Sequence, residues 1–481
     1  MTNEYCRHLL PREIAKTEKV MKSSFCPKHC ECTLGNDKTK TKLSGSKEES
    51  YGAVESLLAA CDPCSGCIPY IVKKKEWLRA NTTRFGDIFS AHLFGRQSIV
   101  ISTPEAVKFF LTNPGARNCC SPSNSGFLIV GKESVGHVEG ATHARYHRAI
   151  LSSMSGDPLN NHVQRFDKIA MDLLTSWQRK GCVTVLEETL QLTFDVVTAF
   201  ICDDPRIFQT KTGDFMHDVT VASRGLFKLP INLPFTDYHR ALQARKRLHY
   251  HLDRLINERR ISKITHDDLL HKLMNDKDLN STNQQIEDNI VGLLFAGQHT
   301  TPLTLVWMMK RLQENPEILK EVVEEHQKIL REREQPHLTW EDTRRMPVTM
   351  RVLQETLRLA SGGMLVREMK HAVEYNGYVF PKGWTLHIFH TAIHLNEDYF
   401  ADPYKFDPSR FLVPQKPGTL IGFGCGLRTC PGAELAKLEI LVFFHRLVTQ
   451  YSWKPKAPNG AIRNWPLRIP EDGYVVEINR K

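Results

Sequence analysis

The spacing of apolar and polar positions divides the chain into unequal regions. Residues 1 to about 60 are polar, with a charged run Asp37-Lys38-Thr39-Lys40-Thr41-Lys42, and show no apolar period. Such a segment has too little apolar surface to offset the entropy of ordering, so residues 1–61 are expected to be a disordered, Cys- and Lys-rich arm. From Phe85 the pattern becomes strand-like. Ile88 to Leu93 and Ser98 to Ser102 carry β-branched or alternating runs. Thr103-Pro104-Glu105 then opens a helix with proline in its first turn. Helical spacing dominates from about 160 to 360. Within it, Asn315-Pro316-Glu317 marks a helix start, and the charged stretch to Glu334 carries an apolar stripe. Short strands return between about 370 and 400, as in Gly377-Tyr378-Val379-Phe380-Pro381-Lys382-Gly383. The pattern predicts a mainly α fold with a small β subdomain over 62–481.

Composition adds scale. The chain has 481 residues, 41% of them hydrophobic, enough for a large core. No linker follows residue 70 and no repeat is visible, so one large domain is expected. Net charge is +10, from 64 Lys and Arg against 54 Asp and Glu. That excess suits a docking face for an acidic redox partner or anionic lipid head groups, or a plain basic surface. No nucleic-acid motif is present. Seven of the 13 cysteines fall in the first 67 residues. Cys26, His29, Cys30, Cys32, Cys61, Cys64 and Cys67 resemble a metal cluster only superficially, because the spacing matches no closed zinc module. A disordered arm with free thiols is the expected reading. There is no secretory signal and no run of eighteen apolar residues.

One stretch concentrates the chemistry: Phe423-Gly424-Cys425-Gly426-Leu427-Arg428-Thr429-Cys430-Pro431-Gly432. It sets Cys430 in a glycine-rich turn ahead of a helical pattern. Gly424 and Gly426 permit backbone angles closed to other residues. Gly432 lets the backbone pass close to a bulky ligand. The positive end of the following helix favours a thiolate at Cys430. Arg428 is placed to meet a haem propionate, and Phe423 to cover the sulfur. A cysteine-ligated haem favours O–O cleavage. A buried structural cysteine in a Gly-rich loop is the plain alternative.

The stretch resembles the haem-binding signature of cytochromes P450, Phe-x-x-Gly-x-Arg-x-Cys-x-Gly, at every fixed position. The resemblance implies the cytochrome P450 fold, haem b ligated by Cys430, and electrons from NADPH through a cytochrome P450 reductase. Other segments agree. Asp62 to Ile71 resembles a worn proline-rich hinge ahead of the catalytic domain. Glu355 and Arg358 stand at helical i, i+3 spacing. Upstream of Phe406-Asp407-Pro408-Ser409-Arg410-Phe411, they resemble the family's buried Glu–Arg–Arg brace, which would join Arg410 to the pair. Phe295-Ala296-Gly297-Gln298-His299-Thr300-Thr301 resembles the long helix that crosses above haem. There Ala296 and Gly297 would let oxygen and substrate approach, and Thr300 would position the proton donor.

Two positions depart from the family. The acid that usually precedes the threonine is His299. Three readings stay open: monooxygenation with His299 or water as relay, an isomerisation or dehydration that needs no oxygen, or impaired oxygen activation. Pro302 is expected to kink the helix there. In Gly140-Ala141-Thr142-His143-Ala144-Arg145-Tyr146-His147-Arg148, the family's propionate-binding Trp or His and Arg correspond to His143 and His147, so Arg145 or Arg148 would have to compensate. Arg367 matches another propionate-binding arginine. Pro230 to Lys246 and Pro431 to Ile440 are similar to plant P450s acting on terpenoids and steroids, most of all the abscisic acid 8′-hydroxylases. The resemblance implies a hydrophobic small-molecule substrate and the cytosolic face of the endoplasmic reticulum membrane. Without a transmembrane anchor, peripheral membrane contact, or a soluble or plastid location, is also compatible.

Overall fold

Proline and capping residues set the helix boundaries. Pro104 opens the helix Pro104–Thr112, and Pro316 opens Pro316–Glu332. Asn315 does not cap with its side chain, which instead donates to the Arg311 carbonyl at 2.7 Å. The helix Asn283–Glu314 begins with a reciprocal capping box between Thr282 and Gln285. It runs unbroken across Pro302, where the sequence suggested a kink.

The computed structural model describes residues 74–481, apart from 94–95, 113–123, 204–208, 211–212, 229, 263, 361–362, 458–459 and 464–467. The cysteine-rich arm with its expected disorder and the candidate hinge 62–71 lie outside the described residues.

The β part is a four-stranded sheet with order Ile88–Leu93, Arg96–Ile101, Thr385–Phe389, Met364–Glu368. The outer pairs are antiparallel and the central pair is parallel. Thr385–Phe389 is buried at every position, as a central strand requires. One face packs Ile101, Phe110, Leu386 and Ile388 with Ile421, so the sheet supports the start of the cysteine loop.

The helical body holds Val163–Lys180, Val185–Ile201, Phe215–Arg224, Asp237–Ser262, Asn283–Glu314, Pro347–Ala360 and Ala433–Gln450. The helix Asn283–Glu314, called the central helix below, is buried along most of its length. It packs closely on Val185–Ile201, where a Cβ at Gly297 would stand 2.9 Å from Val197 Cγ2. A second sheet, ordered Tyr451–Pro455, Val475–Arg480, Cys182–Thr184, closes the far end of the body. Among the described residues, no helix is long and apolar enough to cross a membrane.

Candidate active site

The cysteine loop is built by its own backbone. Gly424 and Gly426 have φ of +73° and +74°, as the sequence predicts. At Gly426 a Cβ would also collide with the Leu111 carbonyl, so packing as well as backbone angle requires glycine. Cys430 N–H donates to the Phe423 carbonyl at 2.9 Å. The helix Ala433–Gln450 follows with Gly432 as its N-cap. A Cβ at Gly432 would meet only Met154 Sδ, at 3.8 Å, so no close approach within the protein demands glycine there. Burial pushes the Cys430 thiol up, against the opposing pull of the Gly432 N–H and Lys437. Phe423 is half-buried, with Lys437 Nζ 5.7 Å from its ring centroid.

Cationic and imidazole groups gather beside this loop. Arg428 donates to the Val138 carbonyl at 2.7 Å and lies near those of Gly136 and Val135 at 3.4 and 3.5 Å. Arg428 and Arg367 line one small cavity with Phe110, Leu111, Cys425 and Leu427. His143 is buried in the same field. Burial first, then the charges of Arg428, His147 and Arg367, lower its pKa to about 4, so it is neutral at physiological pH. His147 does not stand free for a propionate: its Nε2 donates to the Thr429 carbonyl at 2.8 Å. Arg148 is exposed on the other side of its helix, and Arg145 reaches the Asp278 carbonyl at 3.2 Å.

The stretch that holds Arg428 is itself pinned by the central helix. Asn289 Oδ1 accepts from Val135 N–H at 2.8 Å, and Asp288 Oδ2 from Glu133 N–H at 3.1 Å. Gly131, at φ +109°, has no room for a Cβ against the Asp288 carboxylate. No local pattern in the sequence announces this contact.

On the central helix, most of which is buried, Ala296 and Thr300 are exposed. They are one turn apart and share a face. Thr300 Oγ1 donates to the Ala296 carbonyl at 2.9 Å, which leaves its oxygen free to accept. Gly297 serves helix packing, so only Ala296 of the small pair faces open space. His299 turns away from Thr300 toward the helix Phe215–Arg224. Its Nε2 lies 3.0 Å from Ser223 Oγ, which itself donates to the Thr220 carbonyl at 3.0 Å. Nε2 therefore carries the proton. Burial, aided by Arg224, lowers the His299 pKa to about 4. A relay titrating near neutral pH, one of the sequence expectations, does not fit this environment.

Glu355, Arg358 and Arg410 come together as expected. Arg358 makes a bidentate pair with Glu355 at 2.7 and 2.8 Å, both side chains fully buried. Its remaining N–H groups reach the carbonyls of His394, Pro403 and Lys405. Arg410 Nε lies 3.6 Å from Glu355, an ion pair without a hydrogen bond at that nitrogen. His394 was not anticipated. It links the Arg358 carbonyl at Nδ1, 3.2 Å, to Ile421 N–H at Nε2, 3.1 Å, joining this brace to the cysteine loop.

The cytochrome P450 family model matches residues 63–476, and the chain belongs to that family of monooxygenases. Abscisic acid 8′-hydroxylase 1 of Arabidopsis thaliana is 36% identical over 407 residues, covering 84% of this chain and 86% of the relative. Abscisic acid 8′-hydroxylase 1 of Oryza sativa subsp. japonica is 36% identical over 403 residues, covering 83% and 84%. Among solved structures, cyanobacterial CYP120A1 with retinoic acid bound aligns with a TM-score of 0.77 and 27% identity, covering 86% of this chain and 96% of that one. The cytochrome P450 fold read from the sequence is therefore the observed one. The family carries haem, and the residues present suit it. The half-buried Cys430 thiol precedes a helix N-terminus, and Arg428 and Arg367 line a cavity at the same loop with Cys425 and the apolar Leu427, 50% exposed.

Proposed function

We propose that the protein hydroxylates an apolar terpenoid of the abscisic acid type, with Cys430 as the axial ligand of haem b and NADPH electrons delivered by a cytochrome P450 reductase. The similarity to abscisic acid 8′-hydroxylases over more than four-fifths of the chain carries the substrate class. Haem with a cysteine thiolate ligand activates oxygen for insertion into C–H bonds. The protein's own parts divide the remaining work. Arg428, Arg367 and a neutral His143 would hold the haem carboxylates. Ala296 leaves room above the ring for substrate. Thr300, its hydroxyl proton engaged by the Ala296 carbonyl, has an oxygen able to accept from a water and so hold a proton donor in place. The helix Phe215–Arg224 closes over the other side of the central helix through Ser223 and excludes water from His299.

The same reading puts the enzyme on the cytosolic face of the endoplasmic reticulum. Ile231, Leu233 and Phe235, the last 89% exposed, form an apolar loop tip suited to peripheral membrane contact. One observation favours a second reading, a P450-fold isomerase or dehydratase: the position before Thr300 carries no acid, and its imidazole is neutral and engaged elsewhere.

Product mass decides between them. Purified protein, reductase and NADPH are incubated with abscisic acid, sterols and triterpenes. A product heavier by one oxygen, formed from abscisic acid and dependent on NADPH, is expected. Isomers or dehydrated products formed without NADPH would overturn the monooxygenase reading of this site.

A further inference from the structure

The peptide bond that carries Cys430 has two polar groups, and both are tied. Its N–H donates to the Phe423 carbonyl at 2.9 Å, within the loop. Its C=O, that of Thr429, accepts from His147 Nε2 at 2.8 Å. A carbonyl can only accept, so the tautomer is settled: Nε2 carries the proton. The donor comes from a different element, the helix Gly140–Ser153, and spans 282 residues of sequence. The His147 ring is steadied in turn by His143 one turn earlier, with ring centroids 5.3 Å apart and planes inclined by 33°.

We propose that His147 is a positioning residue for the cysteine ligand, its hydrogen bond to the Thr429 carbonyl fixing the plane of the peptide from which the Cys430 side chain departs. Two opposed hydrogen bonds on one peptide resist rotation about the axis that would swing Cβ and the sulfur. Polarisation of the C=O by the imidazole also strengthens donation by the N–H on its other side. The residue at this position thus acts on the loop, and the carboxylate contacts are left to Arg428 and Arg367. The inference rests on the reading of Cys430 as the haem ligand.

His147→Phe keeps the ring against His143 and removes only the donor. His147→Gln restores an N–H on a side chain of similar reach. The test uses reduced, carbonyl-bound holoenzyme and two readouts. One is the rate at which the thiolate-type carbonyl band converts to the non-thiolate form; the other is the rate of haem transfer to apomyoglobin. Conversion about fivefold faster in His147→Phe, the equivalent of about 1 kcal/mol for one neutral hydrogen bond, is expected, with haem transfer unchanged. His147→Gln should return conversion toward the wild-type rate. Unchanged conversion in a folded His147→Phe, or faster haem transfer with an unchanged band, would overturn the assignment. A wild-type protein without a thiolate-type band would refute the Cys430 reading itself, and with it the basis of this one.

Discussion

Glu355→Gln is nearly isosteric and tests the brace beneath the cysteine loop. The wild-type carboxylate accepts from Arg358 Nε at 2.7 Å, Arg358 Nη2 at 2.8 Å and Asp407 N–H at 2.9 Å. Glutamine offers one oxygen for these donors and turns an amide N–H toward a guanidinium N–H. Arg358, 0% exposed, then keeps its charge without an anionic partner, left with backbone carbonyls, one amide oxygen and the Phe400 ring 4.9 Å away. Removing one member of a fully buried pair costs about 3–5 kcal/mol. Unfolding entropy of roughly 2.1 cal/mol/K per residue, taken over a domain of this size, converts that to a fall of about 3–6 °C in melting temperature. The fall should be measured by calorimetry on holoenzyme beside Arg410→Ala. The latter should cost less, because Arg410 sits 3.6 Å from Glu355 without a hydrogen bond at Nε. A Glu355→Gln shift below about 1 °C would refute the reasoning, since a lone buried guanidinium could not then be destabilising.

Two further variants test buried groups that face away from the chemistry. Glu439 is fully buried on the helix after Cys430 and accepts from Thr193 Oγ1 at 2.6 Å. Burial raises its pKa from 4.5 to about 8, so the native state holds a proton that the unfolded chain releases. That stability is present below pH 4.5 and is lost as pH rises toward 8. Glu439→Gln, which keeps the acceptor for Thr193, should gain about 3 kcal/mol over wild type between pH 4.5 and 7; parallel stability curves across that range would contradict it. Ser223→Ala leaves the buried His299 N–H without its acceptor and should cost about 1–3 kcal/mol by denaturant unfolding. The yield of product per NADPH should stay the same, and a drop would restore His299 to proton delivery.

Much of this architecture was legible in the chain because glycine, proline and apolar period are local signals. The strand pair from Ile88, the proline-led helices and the φ requirements of Gly424 and Gly426 all follow from a few adjacent residues. The Glu355–Arg358 pair was legible for the same reason, being one helical turn long. What escaped was non-local. Nothing near Asp288 announces that Gly131 abuts it, and nothing near His394 indicates that it bridges Arg358 to Ile421. The purpose of Gly297 was misread because a small residue on a buried helix serves equally for a groove or for a close helix contact, and only the neighbour Val197 decides.

The two family departures resolve in one way. The sequence resemblance sets His147 where an arginine is expected and His299 where an acid is expected, so each position would lack a fixed charge. In both cases the imidazole nitrogen carries its proton to an oxygen of the protein: the Thr429 carbonyl and Ser223 Oγ. At His299 a neutral donor suits the place, because burial and the nearby Arg224 guanidinium oppose a further positive charge. Arg428 and Arg367 bear on His143, one turn from His147, and Arg224 on His299. A protonated imidazole at His299 would add like charge in a poorly solvated space, where repulsion is strong. Arg428 depends for its orientation on the Val135–Val138 backbone that Asn289 holds. The orientation of Arg428 beside the cysteine loop is therefore tied to the central helix.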